Sequence, residues 1–88
     1  MNQQEFHDML TREGFREVVT VEREANGFLE VHTHPFEAKA LIIDGALRLR
    51  VGEQEQAYGV GDIFHLAANE SHAEWYGPNG VRYLVGRK

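Results

Sequence analysis

Turn residues recur at close spacing after Gly14. Ala25-Asn26-Gly27, Pro35, Asp44-Gly45, Gly52–Glu55, the run ANES at 68–71 and the run GPNG at 77–80 cut the sequence into short segments. Glycine, asparagine and proline supply the backbone angles that tight turns need. The segments between them, FREVVTVERE, FLEVHTH, AKALIID, ALRLRV, QAYGVGDIFHLA, HAEWYG and VRYLVG, read as strands. ALRLRV is the clearest, with Leu47, Leu49 and Val51 on one face and Arg48 and Arg50 on the other. The first, from Phe15, alternates without a clean division between its faces. Before Gly14 the period differs. Phe6, Met9 and Leu10 stand at helical spacing, Asn2 is a suitable N-cap, and Gly14 is a good stop. The chain is therefore expected to be all-β after one short helix: residues 1–14 carry the helix and 15–88 a sandwich or barrel, one domain overall.

Eighty-eight residues suffice for one modest core. The formal charge of −5, with nine basic residues scattered among fourteen acids, argues against nucleic acid. Arg87-Lys88 is the only basic cluster and reads as a solvated tail. No segment has the roughly 18 continuous apolar residues of a membrane helix. MNQQEFHDML lacks the layout of a secretory signal, so a cytoplasmic location is expected. The chain has no cysteine, which removes disulfides, thiolate metal sites and cysteine nucleophiles.

Histidine is left as the chemically informative residue. In a strand, His32 and His34 of EVHTHPFEAKALIIDG point to one face, where two imidazoles can bind one metal. Alone the H-x-H pattern is weak, since two surface histidines look the same. A third histidine, His72, follows a glycine-aspartate turn, a short strand and a small-residue loop in GDIFHLAANESH.

These two stretches together resemble the cupin superfamily, whose fold is a small jelly-roll barrel. The first cupin motif is matched by Gly27, His32, His34, Glu37 and Gly45, the second by Gly61, Ala67, Asn69, His72 and Tyr76. The chain departs from the family at Ala67, Asn69 and Tyr76, where proline, glycine and asparagine are usual; Asn69 tolerates the left-handed backbone of a glycine. The tail HAEWYGPNGVRYLVG is similar to that of small bacterial single-domain cupins that carry HPF before an acidic residue. The resemblance implies a divalent metal (Fe, Mn, Ni, Cu or Zn) held by His32, His34 and His72, with Glu37 as fourth ligand. Only Pro35 and Phe36 separate His34 from Glu37, one residue short of the usual spacing, which lands on Ala38. Glu37 reaches the metal only if the chain bulges after Pro35. Glu74 is its rival, because strand alternation puts it on the wall of His72 and Tyr76. Either carboxylate is a candidate acid/base group.

Other residues have plainer readings. His65 suits the surface or a place behind the ligands, and Lys39, Arg48, Arg50 and Arg82 suit strand surfaces. Phe36, Trp75, Tyr76 and Tyr83 suit core or cavity lining. The resemblance implies metal chemistry of oxygenase or isomerase type on a small oxygenated organic compound. The alternative is a non-catalytic cupin that binds or senses a metal or small molecule. Exposed sheet edges and a small core favour a homodimer.

Overall fold

The structure, a computed structural model, describes residues 1–88. Helix α1 (Gln3–Arg12) precedes six strands: β1 (Glu17–Arg23), β2 (Phe28–His32), β3 (Ala38–Val51), β4 (Gln54–Gly59), β5 (Ile63–Leu66) and β6 (His72–Arg87). The helix begins in a capping box. The Asn2 side chain accepts from the Glu5 amide at 2.8 Å, and the Glu5 carboxylate accepts from the Asn2 amide at 2.9 Å. It ends where Gly14 turns left-handed, at φ +84°.

All strand pairs are antiparallel, and the long strands β3 and β6 run side by side through the whole molecule. In one layer, β1 pairs with the second half of β6, and β5 with the first half of β3. In the other, β2 pairs with the first half of β6, and β4 with the second half of β3. The inner faces of the two layers meet in one core that includes Ala40, Ile42, Leu47, Leu49, Phe64 and Val85. This all-β barrel preceded by one short helix is the expected fold class.

Two expected turns are corners inside these long strands. The buried inward residues of β3 are Ala38, Ala40 and Ile42 before the corner, but Leu47 and Leu49 after it. In β6 the parity shifts likewise, from Tyr76 to Val81, Tyr83 and Val85. Strand alternation changes parity only across an irregularity. The β3–β6 register shifts between Ile42 and Asp44, and again between Gly45, which pairs with Val81, and Leu47, which pairs with Tyr76. Asp44-Gly45 and GPNG thus bend each strand from one layer into the other without ending it. Gly45 has φ +74°, and a Cβ there would lie 2.1 Å from the Gly80 carbonyl oxygen. The local signals for a turn and a barrel corner are the same; the pairing partner distinguishes them.

Helix α1 packs outside the barrel. Phe6, Leu10 and Phe15 form a second cluster with Leu41 and Leu84, flanked by Val18, Ile43 and Ile63. This explains the two-sided reading of β1: Val19 and Val21 face the core while Val18 lies under the helix. Phe6 is fully buried, so Phe6→Ala is expected to cost about 3–5 kcal/mol. A urea unfolding series checks this; a loss below about 1 kcal/mol would mean that the helix contributes little.

Candidate metal centre

His32 closes β2 and His72 opens β6, and the two stand opposite each other in the register. A register shift between Leu29 and His32 lets residues of opposite parity reach the interior. Strand β2 ends at His32, so His34 is not on the extended strand that the H-x-H reading assumed. It follows in the 33–37 segment. There its carbonyl accepts from the Asn69 amide at 2.7 Å, and its ring stacks on Phe36 at 5.0 Å. Asn69 has φ +62°, the left-handed backbone anticipated for it. The three imidazoles meet, with ring centroids 4.2 Å apart for His32–His72, 4.8 Å for His32–His34 and 5.2 Å for His34–His72.

Glu74 joins them. Its Oε2 lies 3.5 Å from His32 Nε2 and 3.3 Å from His72 Nε2. Ligand atoms of His32, His34, His72 and Glu74 all fall within 4.8 Å of one another. The Nδ1 atoms of His32 and His72 face the carbonyls of Glu30 at 2.7 Å and Glu70 at 2.9 Å. A carbonyl only accepts, so each Nδ1 carries a proton and the ring orientation is fixed. Both Nε2 atoms are buried and lack a hydrogen-bond partner. Bonds of about 2.1 Å put tetrahedral ligand atoms about 3.4 Å apart, close to the two His–Glu74 separations. The residues therefore fit a divalent metal.

Burial disfavours a charge on His72, but the Glu74 carboxylate and Glu70 together outweigh it and raise the His72 pKa. Burial acts on Glu74 in the opposite sense, and there too the pairing with His72 wins, lowering the pKa. His34 is shifted down by desolvation and by the neighbouring imidazoles. Burial and Glu74 push Tyr76 up to about 12, so its hydroxyl stays protonated and donates to Glu74 Oε1 at 3.3 Å. Below its raised pKa, His72 carries a second proton, on the Nε2 that faces Glu74, and a metal must displace it. Metal affinity is thus expected to rise with pH through the raised His72 pKa, by about tenfold per unit for one displaced proton. Calorimetry in buffers of different ionisation enthalpy checks this; uptake without proton release would contradict it.

Glu37 is not brought to this cluster. It pairs with His65 and exchanges two backbone hydrogen bonds with Lys88, of 2.8 and 3.0 Å. This backbone pairing holds Glu37 in place beside Ala38↔Arg87, so no bulge turns it inward. Glu74 is the carboxylate beside the histidines. His65 is half-exposed and Lys39 pairs with Glu13 at 2.8 Å, both away from the cluster. Trp75 faces outward beneath Arg48 and Arg50.

Sequence reading missed two arginines. Arg23 and Arg87 line the same cavity as His34, His72 and Glu74, so Arg87 is not the solvated tail expected of it. Alternation was the available signal, because Val19-Val21-Arg23 and Val81-Tyr83-Val85-Arg87 continue inward-facing rows. The cavity encloses about 60 Å³ and is otherwise mainly apolar.

A two-layered β-barrel with three inward histidines and one carboxylate belongs to the class of small barrels built around an internal polar centre. The sequence assigns it further: the family model described as "Cupin domain" (Cupin_2) matches residues 18–84, and the chain belongs to that family. No curated protein matches it. Among solved structures it is similar to a protein of unknown function from Rhizobium leguminosarum bv. viciae 3841, with 13% identity and a TM-score of 0.76 over 80% of this chain and 66% of that one. An RmlC-like cupin from Shewanella frigidimarina NCIMB 400 matches with 16% identity and a TM-score of 0.68, over 80% and 63%. The DMSP lyase DddQ from Ruegeria pomeroyi DSS-3 matches with 22% identity and a TM-score of 0.73, over 81% and 36%. The chain thus spans less than two thirds of the length of each. At these identities the likeness is one of fold. No helix of the chain is long and apolar enough to cross a membrane.

Proposed function

We propose that this cupin binds one divalent metal through His32, His34, His72 and Glu74 and acts on a small oxygenated organic compound, by oxygenase- or isomerase-like chemistry. The observation that carries the reading is the pair of buried, unpartnered Nε2 atoms of His32 and His72, both facing one carboxylate oxygen. Two imidazole lone pairs and a buried carboxylate in contact are costly unless a cation sits among them. When bound, the metal supplies a Lewis acid able to polarise a carbonyl or enolate, or to activate oxygen.

The chain's own residues do the rest. The Glu30 and Glu70 carbonyls hold the rings of His32 and His72 in the ligating tautomer. Tyr76 donates to Glu74 and orients it. Glu74 is also the proposed acid/base group. The cavity suits a small ligand. That one of the similar structures is a lyase fits chemistry on small molecules in such a barrel. Pairing as a homodimer and a cytoplasmic location belong to the same proposal.

The test is an assay of the metal-loaded protein against diketones, phenols and sugars, following product formation and oxygen consumption. Turnover that disappears in Glu74→Gln supports the enzyme reading. Binding without turnover across the panel would replace it with a metal- or ligand-sensing cupin.

A further inference from the structure

Three buried side-chain polar atoms of the molecule have no hydrogen-bond partner: His32 Nε2, His72 Nε2 and Arg87 Nε. The first two face Glu74 and belong to the candidate metal centre. The third is a charged donor, and Arg87 lines the same cavity as His34, His72 and Glu74. A buried guanidinium N–H without an acceptor is as unfavourable as an imidazole lone pair without a cation. The site thus has unmet demand of both signs.

The Arg87 side chain is held by its surroundings. Its guanidinium carbon lies 4.9 Å above the Phe36 ring, and Phe36 stacks at 5.0 Å on His34 with 14° between the ring planes. Nη1 donates to Glu17 at 3.1 Å, leaving the Nε edge unengaged. The Arg87 guanidinium lines the same cavity as His34, and its planar set of N–H donors matches a carboxylate. A divalent ion on Glu74 would leave the centre positively charged, which also favours an anion. The cavity's volume of about 60 Å³ suits a small ligand.

We infer that the ligand of this site is a short carboxylate, with its carboxyl group on Arg87 and its second oxygen function turned to the histidine centre. This rests on the metal reading above and specifies its substrate class.

The test uses protein loaded with Co(II), whose visible absorption reports changes at the metal, and titrates glycolate and pyruvate against their neutral counterparts ethylene glycol and hydroxyacetone. The carboxylates are expected to bind at least about tenfold more tightly. Arg87→Gln is expected to remove that preference while Co(II) affinity stays unchanged. Arg87→Lys, which keeps the charge but not the planar donor set, is expected to recover only part of it. Glu17→Ala removes the acceptor of Nη1 without removing the guanidinium, so it should keep the preference and controls for folding. Equal binding of charged and neutral compounds, or a preference that survives Arg87→Gln, would overturn the inference. If Co(II) does not bind at all, the metal reading fails instead. The same titrations of metal-free protein, followed by NMR, then decide the arginine assignment alone: a carboxylate preference dependent on Arg87 supports it, and none overturns it.

Discussion

Replacing His72 with alanine is expected to weaken metal binding by more than about 100-fold, beyond the range typical of residues that only support a ligand. His72 is 2% exposed, and its Nδ1 is committed to the Glu70 carbonyl. Its Nε2 is 3.3 Å from Glu74, so its loss removes a ligand and also the partner that keeps the Glu74 pKa low. The remaining His32 contact, at 3.5 Å, is longer. Burial would then dominate, the carboxylate would take up a proton more readily, and a second ligand would be compromised. His65→Ala is the matched control. His65 is half-exposed and paired with Glu37, so metal affinity should not change. Titration of both variants with Zn(II) against a competing chelator checks the difference. Wild-type affinity in His72→Ala would remove His72 from the site.

Gly45→Ala is expected to be the most damaging substitution of the fold, destabilising it by at least about 3 kcal/mol or preventing folding. The added methyl would lie 2.1 Å from the Gly80 carbonyl oxygen and 2.8 Å from the Gly80 carbonyl carbon. Both are backbone atoms of the facing corner, so no side-chain rotation relieves the clash. The left-handed φ of +74° adds its own penalty for a residue with a Cβ. Relief requires the β3 and β6 corners to separate. These two strands carry Leu47, Leu49, Glu74 and Tyr76 into the second layer, so the centre should loosen with the fold. Gly52→Ala is the comparison, because Gly52 has a similar φ of +60° but open space where the Cβ would go. Chemical denaturation of the two separates clash from backbone strain. Equal, small losses in both would mean that the corner contact is not needed.

Much of this architecture is legible in residue order. The helix is marked by its cap, its spacing and its stop, all local signals. The three histidines are marked by motif spacing, and Glu74 by alternation from His72. What escapes a local reading depends on partners distant in sequence. Asp44-Gly45 has the composition of a turn, and only its approach to Gly80 makes it a corner. Glu37 sits near enough to His34 in sequence to compete as a ligand. Pairing with Lys88 and His65 takes it away, and no pattern within PFEA shows that. Arg87 is hidden similarly, because a terminal basic pair looks solvated until the strand register carries Val81-Tyr83-Val85 one step further. Short-range chemistry marks the candidate ligands, while the barrel's long-range pairing selects among equally good local candidates.

The most direct test of the account is the metal content of the wild-type protein, purified without added metal and analysed by elemental analysis, then stripped and offered Fe, Mn, Ni, Cu and Zn in turn. Tight uptake of one divalent ion per chain is expected. The absence of stoichiometric metal as purified, together with no tight uptake of any of the five, would contradict it.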